Sequence, residues 1–203
     1  MRVLRVYGSL ESGNCYKVRL LLRQLGREYE WIEIDILKGE SRTPAFLAMN
    51  PNGRVPLLEY APGKHLAESN AILNYLADGT PLLPADPETR ARILQWMFFE
   101  QYSHEPFIAT SRFYLHFLKQ PDKYRQALEE KSGPGYGALD VMENHLRRSD
   151  YLVAGRYSIA DIALYAYTHV AHEGGFDLGR YQAIPAWLDR VKRQPGTIGI
   201  TEI

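Results

Sequence analysis

Asn50-Pro51-Asn52-Gly53-Arg54-Val55-Pro56-Leu57-Leu58 and, a short way downstream, Glu68-Ser69-Asn70-Ala71-Ile72 are the stretches on which the reading of this chain turns. A proline just before an apolar run removes one ladder donor, so the run begins at a sheet edge or a bend. X-Pro bonds are also the only common place for a cis peptide. A cis bond at Val55-Pro56 would turn the Val55 backbone outward, where its N–H and C=O can pair with an extended peptide as another strand residue would. Taken alone, the segment is equally a plain loop-to-strand turn. In the second stretch Ser69 is placed to cap a helix, and amides at the positive end of a helix dipole attract a carboxylate. Glu68 beside it suits an ammonium or the same amides. Together they suit a group bearing both charges, such as a free amino-acid terminus. Taken alone, this too is an ordinary helix cap.

The flanking sequence alternates strand and helix signals. Val3 to Tyr7 is a short β-rich run closed by Gly8. Val18, Leu21, Leu22 and Leu25 recur at helical spacing before Gly26 stops the helix. Trp31 to Ile36 puts Ile32, Ile34 and Ile36 on one face, the alternation of a strand. Thr43 and Pro44 read as cap and first turn of a helix. Val55 to Tyr60 and Lys64 to Ala67 read as strands joined by the Ala61-Pro62-Gly63 turn. Ser69 opens a helix that Gly79 closes. The order βαβ, α, ββα needs a parallel crossover followed by an antiparallel hairpin, which makes a small mixed sheet of thioredoxin-like α/β type.

After Gly79 the composition changes. Thr80 to Pro87 is proline-rich and reads as a linker. Everything after it is helical in pattern. A long helix is expected from Arg90 to Leu118, bent at Pro106. Ser132-Gly133-Pro134-Gly135 is expected to break a second helical stretch that restarts and runs to Arg148. Further helices are expected from Ser158 to His172 and from Ala186 to Arg193. Ser158 and Asp161 are spaced as a capping box, with Asp in place of the usual Glu. The expected domains are therefore 1–79, a linker at 80–88, and an all-α domain at 89–203.

Lys plus Arg and Asp plus Glu both total 24, so the formal net charge is zero and no global field draws in nucleic acid or an anionic membrane. A lone cysteine, Cys15, cannot form an internal disulfide. The N-terminus is too charged for a signal peptide, and no apolar run reaches the ~18–20 residues of a spanning helix. The expectation is a cytoplasmic protein. His169 and His172 share a helix face without a carboxylate at ligand spacing, so no metal site is expected. G-x-G-x-x-G, P-loop and G-x-S-x-G motifs are absent from the sequence.

The loop after the first strand, Tyr7-Gly8-Ser9-Leu10-Glu11-Ser12-Gly13-Asn14-Cys15-Tyr16-Lys17-Val18, ends at a helix N-terminus, where a nearby thiolate is stabilised. A free thiol titrates near ~8.5, and lowering that by two units takes about 2.7 kcal/mol. One charge-assisted hydrogen bond of ~1.5–3 kcal/mol plus a helix end supplies it. Cys15 itself reads as buried packing, with a role as nucleophile in a mixed disulfide as the alternative.

The pairing of the Val55-Pro56 turn with the Glu68-Ser69 helix start resembles the glutathione site of cytosolic glutathione transferases. Gly155 with Ser158-Ile159-Ala160-Asp161 resembles the folding element of their helical domain, so the likeness covers nearly the whole chain. It implies the glutathione transferase fold, glutathione as co-substrate, a homodimer, a cytoplasmic place in detoxification, and attack of the thiolate on a hydrophobic electrophile or a disulfide. Carried over, Val55 pairs with the cysteinyl backbone, Pro56 holds a cis bend, and Glu68 and Ser69 take the γ-glutamyl end. Arg54, and more loosely Lys38, meet the glycine carboxylate. The sulfur donor in serine-type members is a hydroxyl of the first loop, which makes Ser12 the first choice. Asn14 is second, because Ser12-x-Asn14 resembles the T-x-N of bacterial nu-class disulfide-bond oxidoreductases, and Ser9 and Tyr7 follow. Acceptor-side candidates are Tyr102, Pro106, Phe107, Arg112 and Phe113. Ser12 to Arg19 also resembles the signature of the maleylacetoacetate isomerases, departing from it at Gly13, Asn14 and Cys15, which leaves a glutathione-dependent isomerase as an alternative. A non-catalytic interaction protein on the same fold is the other.

Overall fold

The computed structural model describes residues 3–203. These fall into two compact units: the described residues up to Asp78 together with Pro195–Ile203, and Gly79–Gln194.

In the first unit the order is β1 (Leu4–Gly8), α1 (Gly13–Gln24), β2 (Tyr29–Glu33), α2 (Pro44–Met49), β3 (Leu57–Ala61), β4 (Lys64–Ala67) and α3 (Ser69–Ala77). The sheet runs β2-β1-β3-β4. β1 and β2 are parallel, while β3 is antiparallel to both β1 and β4. This is the thioredoxin-like arrangement expected from the sequence. β2 lies earlier than the alternation of Ile32, Ile34 and Ile36 suggests. Its ladder ends where β1 ends, at Gly8 opposite Glu33, because a strand lasts only as long as its partner. The core is Val6, Leu57 and Leu58 of the sheet with Val18, Leu21 and Leu22 of α1 and Ile72, Leu73 and Leu76 of α3, all buried. Gly8 is required by close approach: a Cβ there would stand 2.5 Å from the Trp31 ring and 2.9 Å from Cys15 Sγ. Thr43 caps α2 by accepting from Phe46 N, with Pro44 in the first turn.

The expected all-α span of 89–203 is corrected at its end, since Pro195–Ile203 belongs to the first unit. Tyr16 donates its hydroxyl to Ile198 O at 2.7 Å, and Gln24 Nε2 donates to Thr197 Oγ1 at 3.2 Å. Neither bond leaves a local pattern in the sequence.

The second unit contains α4 (Pro87–Phe99), α5 (Glu105–Arg112), α6 (Arg125–Leu146), α7 (Ile159–Thr168) and α8 (Ala183–Lys192). The helix expected from Arg90 to Leu118 is divided by π-helical turns at Glu100–His104 and Phe113–Phe117. The first of these stands just before Pro106. Proline lacks an N–H and its ring collides with the carbonyl four residues back, and a wider turn there makes room for it. The break expected at Ser132-Gly133-Pro134-Gly135 does not occur, and α6 runs through it with Pro134 inside. Burial of Gly135, Ala138, Leu139, Met142 and Leu146 on one side of α6 outweighs the local breakers. α7 carries the expected capping box of Ser158 and Asp161. α8 starts before the expected Ala186 because Glu143 of α6 accepts from the amides of Gln182, Ala183 and Ile184, a cap supplied from a distant element.

Candidate active site

Three chain segments of the first unit carry the groups singled out in the sequence. The Val55-Pro56 peptide is cis. Asn50 holds the turn that leads into it: its side chain donates to Arg54 O at 2.8 Å and accepts from Asn52 N at 3.1 Å. Pro56 is buried and Val55 half-buried. Neither the N–H nor the C=O of Val55 is hydrogen-bonded to another described residue.

At the start of α3 the register differs by one residue from the sequence reading. Glu68, not Ser69, occupies the cap position, and its side chain makes no capping bond. Its backbone is left-handed, with φ of 68° and ψ of 112°, a conformation that costs a non-glycine residue about 1–3 kcal/mol and collects at functional sites. Its carboxylate is exposed, with Asn52 Nδ2 at 3.5 Å. Ser69 is the first helical residue and is buried. Its hydroxyl donates to Asn14 Oδ1 at 3.1 Å and accepts from Lys17 Nζ at 3.4 Å. Lys17 is fully buried. Sequence reasoning missed it, though Asn14 and Lys17 are three apart on α1 and therefore neighbours on one helix face.

Ser12 caps α1, its Oγ accepting from Cys15 N at 3.4 Å. The same hydroxyl is also hydrogen-bonded to the Cys15 thiol, pulling that thiol's pKa down against burial, so its proton has a partner inside the protein and must turn from it to reach a ligand. Ser9 lies at the start of the same turn, its carbonyl accepting from Ser12 N at 3.0 Å. Tyr7 is engaged elsewhere, since its hydroxyl donates to Glu59 on β3 at 3.1 Å and its ring meets His65 edge-on. Cys15 is fully buried, and burial pushes its thiol up to about 11, so the thiolate needed for a nucleophile is scarce at neutral pH. Its packing reading is the one the structure supports.

Among the basic residues carried over, Arg54 is exposed beside the turn. Lys38 pairs with Asp35 of its own loop at 3.0 Å. Among the described residues no group of three or more His, Cys, Asp or Glu is arranged to hold a metal ion, and no helix is long and apolar enough to cross a membrane.

The acceptor-side candidates all lie in the second unit. Tyr102 is exposed within the first π-helical turn, Pro106 and Phe107 open α5, and Phe113 begins the second π-helical turn. Lys131 Nζ donates to Pro106 O at 3.1 Å and lies over the Phe107 ring. Arg112 is buried, its guanidinium paired with Glu173 and lying over the Phe117 ring.

The model of the glutathione S-transferase N-terminal domain matches residues 2–78, and that of the glutathione S-transferase C-terminal domain matches residues 95–195. The chain is similar to the disulfide-bond oxidoreductase YfcG of Escherichia coli K12, at 31% identity over 191 residues, covering 91% of this chain and 88% of that protein. It superposes on the crystal structure of a glutathione S-transferase from Pseudomonas fluorescens Pf-5 with a TM-score of 0.97 and 54% identity, over 99% of this chain and all of that one. A structure of Ure2p in complex with glutathione aligns with a TM-score of 0.86 at 26% identity, covering 98% of this chain and 94% of the other. With both halves matched by its models, the chain belongs to the glutathione S-transferase family.

Proposed function

We propose that the chain is an enzyme that binds glutathione in its first unit, favours the ionised thiol at the loop around Ser12, and directs the thiolate at a hydrophobic electrophile or a disulfide. The observation that carries this reading is the left-handed backbone of Glu68 at an uncapped helix start, directly before a buried Ser69 that is tied to Asn14 and Lys17. A strained non-glycine cap is a poor choice for a helix and a useful one for holding both charges of an amino-acid terminus. In this reading Glu68 takes the γ-glutamyl ammonium, and the amides at the start of α3 take its carboxylate. The open backbone of Val55 pairs with the cysteinyl residue, its orientation kept by Pro56. Arg54 meets the glycine carboxylate and Lys38 contributes charge from its loop. The complex of Ure2p with glutathione supports the choice of ligand.

The Ser12 hydroxyl donates to the sulfur, with Asn14 holding Ser69 in place. A chain with the same reach to sulfur serves conjugation and disulfide reduction alike. Its likeness to YfcG favours the second, and its likeness to the Pseudomonas enzyme keeps the first. The acceptor is proposed to meet Tyr102, Pro106, Phe107 and Phe113. A homodimer in the cytoplasm is part of the same proposal. Calorimetry with glutathione tests the binding step, and its failure to produce heat at millimolar concentration overturns the reading. Parallel assays with an aryl halide and with a small mixed disulfide then decide which reaction the thiolate performs.

A further inference from the structure

Arg19, on α1, is fully buried. A guanidinium keeps its charge in proteins, and burying one is costly without partners. The partners here include three backbone carbonyls: Leu10 O, Ile200 O and Glu202 O. The group also stacks over the Trp31 ring at 5.0 Å and near Tyr16 at 5.9 Å. One side of this fork is the C-terminal tail. The other is the loop that leads to Ser12.

The tail follows α1 closely. Thr197 meets Gln24, Ile198 meets Tyr16, and Ile200 and Glu202 meet Arg19. Gly196 has φ of 76°, and a Cβ there would stand 3.0 Å from the Gln24 Cα. Leu10 is fixed from both ends of its backbone. Its carbonyl takes Arg19, and its N–H donates to Glu33 Oε1 at 3.1 Å. Glu33 in turn receives Trp31 Nε1 at 2.7 Å, the same ring that Arg19 covers. Ser12 N then closes the turn onto Ser9 O.

We propose that Arg19 is a positioning residue and that Thr197–Glu202 is a strap, the two together fixing the loop that presents Ser12 to the glutathione sulfur. This rests on the reading of Ser12 given above. A hydrogen bond to a thiolate weakens steeply when its donor moves off line. A loosened loop therefore raises the pKa of the bound thiol while leaving the rest of the tripeptide's contacts in place.

The test uses Arg19→Lys and, separately, deletion of Ile200–Ile203, with Ser12→Ala alongside. Each variant is assayed for binding of S-methylglutathione, for the pH dependence of thiolate absorbance of bound glutathione, and for melting. Arg19→Lys keeps the charge and loses the fork; the deletion removes two of the three carbonyls. The expected result in either folded variant is S-methylglutathione affinity within about twofold of the parent and a bound thiol titrating about one unit higher. With the bound thiol moving from about 6.5 to about 7.5, the rate at neutral pH then falls about threefold and recovers as pH rises. A folded variant with an unchanged thiol titration overturns the proposal. So does loss of folding in both variants, which would make the strap purely structural. If Ser12→Ala leaves the titration unmoved while Arg19→Lys shifts it, the reading of Ser12 fails and the strap still acts on the loop through another donor.

Discussion

Ser69 donates its hydroxyl proton to Asn14 Oδ1 across 3.1 Å, joining the first turn of α3 to the first turn of α1. The direction is forced, because an amide oxygen only accepts, and Lys17 Nζ on the other side only donates. The Ser69 proton is thereby committed within the protein. A carboxylate placed at this helix start would then meet backbone amides near the buried Lys17 rather than a serine O–H.

Lys17 is therefore expected to matter more to glutathione affinity than Ser69 itself. Ser69→Ala removes the bonds to both Asn14 and Lys17 but leaves the ammonium's charge in place, whereas Lys17→Met removes the charge itself; an interaction with a charged group is worth about 1.5–3 kcal/mol. Ser69→Ala should weaken binding several-fold, and Lys17→Met by about tenfold or more, measured by calorimetry on variants whose melting shows them folded. Parental affinity in Lys17→Met would remove the ammonium from the account.

Asp161 is expected to be the most costly single truncation in the capping box. Its carboxylate is fully buried and accepts from Leu152 N, Ser158 N, Ser158 Oγ and Trp187 Nε1. Burial pushes it up to about 6, against the pull of those donors. Asp161→Ala strands several donors at ~1–3 kcal/mol each. A loss of about 3 kcal/mol or more is expected in urea denaturation, with Asp161→Asn costing less because one acceptor survives. A change below about 1 kcal/mol would contradict this account.

What could be read from the sequence was local. The Val55-Pro56 turn, the Thr43 cap and the Ser158 to Asp161 box each place their partners within a few residues, so spacing alone exposes them. The order of strands and helices along the first unit followed because Gly and Pro punctuate them. What escaped has its partner far along the chain: Lys17 with Ser69, Glu143 capping α8, Arg19 holding the tail. The one-residue slip at Glu68 has a related cause. A serine at a helix start is the natural cap by propensity, and only the backbone reveals that a glutamate was placed there instead. The π-helical turns escaped because Pro106 signals a disturbance without specifying its form.

His169 gives a pH dependence with a definite sign. Its Nδ1–H donates to Tyr165 O at 2.8 Å and its ring stacks on Tyr165. Burial lowers its pKa from the ordinary 6.5 to about 4, assisted by the nearby positive charge of Arg112. Between those values the unfolded chain binds more protons than the folded one, so this group's contribution to stability is present above pH 6.5 and lost as pH falls through 4. The loss amounts to at most ~3 kcal/mol at ~1.36 per unit. The raised carboxyl of Asp161 acts in the opposite direction, so the parent's profile mixes both. The difference between the parent and His169→Gln isolates the histidine. Denaturation midpoints from pH 7 to pH 4 should converge as the parent loses its advantage, and parallel profiles would refute the assignment.

The glycines of α6 supply the sharpest contrast, since Gly135 and Gly137 are both within one helix and only two residues apart. A Cβ on Gly135 would stand 2.4 Å from the Phe176 ring, too close for any real contact, whereas one on Gly137 meets nothing within 4 Å. Gly135→Ala must push Phe176 away from its edge-on contact with Tyr136, at a cost of about 1–3 kcal/mol for overpacking. Gly137→Ala sits on the exposed side, is not followed by a proline, and trades a poor helix former for the best one, which should stabilise by about 0.5–1 kcal/mol. Melting temperatures of the two variants should therefore move in opposite directions from the parent. If both fall together, Gly137 is not in a regular helical turn in solution, and α6 does not run on unbroken past Ser132-Gly133-Pro134-Gly135.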